Sequence, residues 1–218
     1  MPITIDELCE RLGINQAIPE EQYPTHKRAP YDLQSKWYDY RSLPSTKVVA
    51  PIVSEALQGV ETAVELGAGT GFRVLYYALN NPQTQFLAVD NDRHATNILK
   101  ERVKKLRVQN IHVQTMDMYQ LTQKYAAVIA VDCVGGQGSS ENWVQKGVNY
   151  LRLARLVDLT QSDSFFCTPL YHSFKDTSEN FMGKIFQEAG LPSSETVPFE
   201  FTQRDGTPWN GRMLFGRR

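Results

Sequence analysis

Cysteine is scarce in this chain: Cys9, Cys133 and Cys167 stand far apart in 218 residues. Such spacing makes neither a disulfide framework nor a metal-binding pair, and it fits a reducing cytoplasm. Long apolar runs are missing as well. None approaches the roughly 20 residues needed to cross a bilayer, so no membrane span is expected. The opening residues MPITIDELCE carry carboxylates and no apolar core, which is not the pattern of a signal peptide. Neither sign of charge is in excess: 23 Lys and Arg stand against 24 Asp and Glu, a net charge of -1. No global basic field therefore exists to hold a polyanion, although a local patch would not show in that sum. Repeats and low-complexity tracts are also lacking. What remains is an ordinary globular composition, 41% hydrophobic and 22% charged. The length suits one domain with a sizeable core and room for a short appendage.

The most informative stretch is Val64-Glu65-Leu66-Gly67-Ala68-Gly69-Thr70-Gly71-Phe72. It follows a short apolar run and precedes a segment of helical character. A strand running into three alternate glycines and then a helix is a nucleotide-binding turn. Glycine lets the backbone turn tightly and lets a ligand lie against the main chain.

Around it, strand and helix signals alternate. Residues 3–13 read as a short helix capped by Thr4 and closed by Gly13. Residues 14–30 carry Pro19, Pro24 and Pro30 and read as an irregular surface segment. A helix is expected over 31–42, ended by Pro44, and another over about 46–58, framed by Pro51 and Gly59. Strands are expected at 61–66, 85–90, 111–115, 125–132 and 164–169. Helices are expected at 71–80, 94–106, 143–159 and 178–189. Two last strands, 197–202 and 209–216, flank the turn Asp205-Gly206-Thr207-Pro208 with no helix between them. The expected fold is therefore α/β: a seven-stranded, mostly parallel Rossmann-like sheet with helices on both faces and a C-terminal antiparallel hairpin at one edge. Residues 1–45 would form an N-terminal helical cap and 46–218 the main domain.

Two nucleotides compete for the glycine turn. A dinucleotide fingerprint needs glycine at the sixth position counted from Gly67, and that position is Phe72. The alternative is S-adenosyl-L-methionine (SAM). The sequence Glu65-Leu66-Gly67-Ala68-Gly69-Thr70-Gly71 resembles the first motif of the class I SAM-dependent methyltransferases. Asp90 ends the second strand like their ribose-binding acid. Asp117 follows the third strand like their next acid, Val131-Asp132 matches the end of their fourth strand, and the final hairpin matches their extra antiparallel strand. The resemblance covers about residues 45–218. It implies a methyltransferase using SAM and releasing S-adenosyl-L-homocysteine (SAH).

The chemistry suits each position. SAM has no pyrophosphate to neutralise, so a glycine turn without a basic group is sufficient. Its ammonium group suits main-chain carbonyls near Gly67, Ala68, Gly69 and Gly71, with Glu65 adding negative potential. The Asp90 carboxylate can accept from both ribose hydroxyls. Asn91 would edge the adenine, Asp117 would accept from its amino group, and Met118 would offer a backbone N–H to a ring nitrogen. The plainer readings are that Asp90 is a helix N-cap and Asp117 a turn residue.

Acceptor residues are less marked. The loops after the fourth and fifth strands are the expected location. The stretch from Asp132 to Ser140 lacks the Asp/Asn-Pro-Pro-aromatic motif of enzymes that methylate exocyclic amines, and Cys167-Thr168 stand where catechol-type enzymes carry metal ligands. His172 is the candidate general base, or else a surface histidine. Asp132 is an acceptor-side carboxylate, a cofactor contact or simply the end of a strand. Trp37, Tyr38, Arg41 and Tyr171 are candidates for an aromatic lid and acceptor wall, or for packing of a lid helix. The basic run Lys100 to Arg107 reads as a solvated helix face. A small-molecule acceptor is expected, with a protein or RNA acceptor, or a silent SAM-binding module, as alternatives. No metal is expected.

Overall fold

The structure, a computed structural model, describes residues 2–14, 31–131, 155–171, 186–188, 190–191, 193–203 and 205–217. Helix α1 is Ile5–Leu12. Thr4 caps it: its hydroxyl accepts the Glu7 N–H at 3.1 Å, and Glu7 Oε2 accepts the Thr4 N–H at 2.7 Å. That reciprocal pair satisfies two N-terminal donors. Gly13, at φ 73°, closes the helix in the left-handed region, where glycine has no Cβ to clash. The Asn80 side chain holds Ile3 by two hydrogen bonds, so the chain start is tied to a distant helix end.

Residues 31–56 form one helix, α2 (Tyr31–Ala56), rather than the two expected. Pro44 and Pro51 lie inside it. Each removes a backbone donor, but Leu43, Val49, Ala50 and Val53 on this helix are buried in the core. Ser42 and Ser45 hydroxyls donate to the carbonyls of Asp39 and Ser42, at 3.2 and 2.8 Å, alongside Pro44. Burial of the apolar stripe thus overrides local breaker signals. The boundary expected at residue 45 falls inside this helix.

Strands and helices then alternate as expected: β1 (Thr62–Leu66), α3 (Phe72–Asn80), β2 (Gln85–Asp90), α4 (Arg93–Leu106) and β3 (Ile111–Thr115). A short 3-10 turn, Met118–Gln120, leads to β4 (Tyr125–Ile129). Then come β5 (Thr160–Tyr171), β6 (Ser193–Thr202) and β7 (Pro208–Arg217). The helices expected at 143–159 and 178–189 fall mostly outside the described residues; 155–157 and 186–188 are helical.

The sheet has seven strands in the order β3-β2-β1-β4-β5-β7-β6. The first five in that order are parallel, and β7 runs antiparallel between β5 and β6. The hairpin therefore caps one edge. Both faces of the central strands β1 and β4 are buried, which explains their near-continuous apolar sequences. Ala63, Ala127, Ile129 and Phe165 pack with Leu8, Val53, Leu75 and Leu99 on one side. Val64, Leu66, Val128 and Phe166 pack with Leu156, Val157 and Phe186 on the other. The strand order reverses between β1 and β4, and such a sheet takes its ligand outside the carboxyl ends of the strands beside that point.

Candidate functional site

The turn after β1 is built by three left-handed glycines: Gly67 at φ 65°, Gly69 at φ 56° and Gly71 at φ 79°. They wind the chain so that successive backbone groups find partners across the sheet end. Ala68 N–H donates to the Val89 carbonyl at 2.9 Å. Gly69 N–H donates to Asp90 Oδ2 at 2.8 Å. The other oxygen, Asp90 Oδ1, accepts the Asp92 N–H at 2.8 Å. A carboxylate has about four acceptor positions, so two remain for a ligand's hydroxyl groups. Helix α4 is capped not by Asp90 but by Asp92, whose Oδ1 accepts from His94 and Ala95. Asp90 is thus left to brace the turn.

A cavity of about 340 Å³ opens here. It gathers Glu65, Gly67, Ala68 and Gly69 from β1 and its turn. Asp90 and Asn91 line it from the end of β2, and Asp117 and Met118 from the segment after β3. At Gly69 an added Cβ would meet nothing within 4 Å. The main chain therefore faces open space where a ligand could lie. Asp117 also acts as a turn residue, accepting the Tyr119 N–H at 3.0 Å through one oxygen.

Gly71, expected at the cofactor turn, is not among the residues lining this cavity; an added Cβ there would lie 2.0 Å from Leu99 Cδ1 on α4. Its role is to let the start of α3 approach α4.

Several lining residues were not among those expected to bind a ligand. Asp39, Ser42 and Thr46 reach the cavity from α2, and Thr70, Phe72 and Arg73 from the turn and α3. Asp39 sits within the aromatic cluster marked as a lid, and a carboxylate among aromatics was the available signal. Its two oxygens are both engaged: Oδ1 accepts the Thr70 hydroxyl at 2.5 Å and Oδ2 accepts Arg102 Nη2 at 2.6 Å. Arg102 also donates to the Thr70 carbonyl at 3.1 Å. The basic run on α4 is therefore not wholly a solvated face. The Arg102 side chain is only 11% exposed and that of Asp39 only 3%.

Glu65 is buried in β1 beneath the turn. Burial pushes the Cys167 thiol well above its ordinary range, and the negative charge of Glu65 pushes it further. Among the described residues no cluster of His, Cys, Asp or Glu could hold a metal ion, and no helix there is long and apolar enough to cross a membrane.

Asp132 and His172 lie outside the described residues. Trp37, Tyr38 and Arg41 stand on α2 and Tyr171 ends β5, with side chains outside the described set.

Comparison with known proteins agrees with this layout. A family model described as "Putative methyltransferase" matches residues 60–130, from β1 to β4. The chain is 26% identical over 125 residues to a ribosomal RNA small subunit methyltransferase G of Dichelobacter nodosus, covering 52% of this chain and 59% of that one. Over 63 residues it is 33% identical to a tRNA (guanine-N(7)-)-methyltransferase of Mycoplasma mobile, covering 29% and 31%. The matched stretches thus span less than two thirds of either relative. Among solved structures, magnesium protoporphyrin IX methyltransferase from Synechocystis with bound SAM superposes with a TM-score of 0.59 at 14% identity, covering 90% and 88% of the two chains. A SAM-dependent methyltransferase from Aquifex aeolicus gives 0.56 at 14% identity, covering 84% and 97%.

Proposed function

We propose that this chain, whose fold is that of the class I SAM-dependent methyltransferases, binds SAM at the carboxyl ends of β1–β3 and methylates an oxygen or nitrogen nucleophile. The observation that carries the proposal is the bond from Gly69 N–H to Asp90 Oδ2. It fixes a carboxylate with spare acceptor positions beside a main chain that faces open space.

The donor set suits SAM. Carboxylates dominate the wall, Asp39, Glu65, Asp90 and Asp117, with Arg73 the one Lys, Arg or His among the described lining residues. These four carboxylates, of which Asp39 is paired with Arg102, suit hydroxyl, amino and ammonium groups and would repel a pyrophosphate. Phe72, buried at the start of α3, stands where a dinucleotide turn needs glycine. Bound here, SAM supplies a methyl group activated by its sulfonium sulfur. Asp90 would receive the ribose hydroxyls, Asn91 would border the adenine, and Asp117 and Met118 would meet its polar edge. Glu65 would add negative potential toward the ammonium. Asp132 and His172 are proposed for the acceptor side, His172 as a base that takes the acceptor's proton. Trp37, Tyr38, Arg41 and Tyr171 are proposed to wall that side.

For the acceptor, a small molecule is the first reading, supported by a net charge near zero. RNA is the second, favoured because the names of two relatives are those of RNA methyltransferases. Incubation with methyl-labelled SAM and separate metabolite, RNA and protein fractions distinguishes them. Label in the metabolite fraction alone supports the first reading, and label in RNA replaces it by the second. No label in any fraction contradicts methyl transfer.

A further inference from the structure

Helix α4 touches the glycine turn at two positions on one face. Leu99 lies beneath Gly71, so close that a Cβ there would sit 2.0 Å from it. Arg102, three residues on and therefore on the same face, donates to the Thr70 carbonyl at 3.1 Å. Its other nitrogen reaches across to Asp39 of α2 at 2.6 Å. Thr70 closes the ring by donating its hydroxyl to the second Asp39 oxygen. The carbonyl and hydroxyl of Thr70, two guanidinium nitrogens and both Asp39 oxygens are thereby used.

We propose that Asp39 and Arg102 hold the glycine turn in its cofactor-accepting form, with Arg102 a positioning residue for the cofactor. This rests on the SAM reading above. Arg102 is absent from the cavity wall, whereas Asp39 and Thr70 line it. Arg102 therefore acts through them rather than by touching the ligand. The pair is buried, and a buried ion pair is a poor way to gain stability alone, because both charges lose their hydration. A simple brace between α2 and α4 could be apolar, as the surrounding core is. The charged version adds direction. The guanidinium fixes one carbonyl and one carboxylate at a set angle, and both belong to residues that shape the cavity. As a consequence, α2 docking and the conformation of the turn are one event. Without Asp39 of α2 in place, Thr70 would lack its hydroxyl partner and Arg102 its counter-charge.

The test uses two variants of the full chain. Asp39→Asn with Arg102→Gln removes both buried charges together, avoiding an unpaired charge. Thr70→Val leaves the ion pair and removes only the hydroxyl. SAH affinity is measured by calorimetry, kcat and KM with SAM by methyl transfer, and Tm by thermal denaturation. The expected result for the double variant is a weakening of SAH binding by about tenfold or more. KM for SAM should rise in parallel, and kcat at saturating SAM should change far less. Thr70→Val should shift SAH affinity the same way by less, with Tm near that of the unaltered chain. It decides the matter alone if the double variant does not fold. Unchanged SAH affinity in the variants, whatever their Tm, would overturn the positioning role and leave a structural brace. An unaltered chain that does not bind SAH would overturn the SAM reading, and this proposal with it.

Discussion

Gly69 and Asp90, 21 residues apart, are joined by a 2.8 Å hydrogen bond from backbone N–H to carboxylate. The turn after β1 and the acid ending β2 are therefore one unit. Replacing Asp90 with alanine removes both the anchor of the turn and the proposed acceptor for ribose. The expected loss of SAH affinity is roughly 1.5–3 kcal/mol, the range for hydrogen bonds to a charged group. Calorimetry on the folded variant checks this, and an unchanged Kd would mean the ribose contact is misassigned.

Two glycines of the same turn should respond differently to alanine. At Gly71 the methyl group meets Leu99 and the backbone is left-handed at φ 79°. Gly71→Ala should lose roughly 1–3 kcal/mol of stability through overpacking and strain. At Gly69 the same methyl enters open space. Gly69→Ala should be destabilised less and should lose SAH affinity instead, because the methyl occupies the cavity. Denaturation midpoints and SAH titration separate the two, and identical behaviour of both variants would contradict the assignment.

The capping pair at α1 sets a pH dependence. The Thr4 backbone N–H, helped by its hydroxyl, holds the Glu7 carboxyl below the usual carboxylate range. A lowered folded-state pKa stabilises the fold above the unfolded value, about 4.3, and that contribution fades as pH falls through the folded value. Glu7→Gln should therefore lower Tm at neutral pH, with the gap to the unaltered chain closing below about pH 4. A gap that stays constant from neutral to acid pH would contradict the capping account.

Sequence and structure agree best where the signal is local. The strands β1 and β2 are largely buried, and their short apolar runs bounded by turn residues give them away to within a residue, as does the Ile111–Thr115 run of the half-exposed edge strand β3. The acids at 90 and 117 could be read because each directly follows a strand. Helix α2 was misread as two because Pro44 and Pro51 are local breakers, while the burial of Leu43 and Val53 that overrides them is tertiary. Arg102 had a usable signal, since it stands three residues after Leu99 on the apolar face of α4. The run of lysines around it hid that. No pattern links it to Asp39, 63 residues earlier, because their pairing exists only once α2 has docked.

Cys9 and Cys167 are both buried, and burial together with Glu65 raises the Cys167 thiol. The reactive species is the thiolate. Neither residue should be modified by a thiol reagent at neutral pH in the native protein, and both should react in denaturant. Peptide mapping after labelling reads this directly. Rapid native labelling of Cys167 would contradict the packing of β5.

The most direct test of the central claim is calorimetric titration of the unaltered chain with SAM, SAH and NAD. Saturable binding of SAM and SAH at one site per chain, without binding of NAD, is the expected result. The absence of SAM and SAH binding at about 100 μM, which would leave any affinity weaker than roughly 5.5 kcal/mol, or a preference for NAD, would contradict the account.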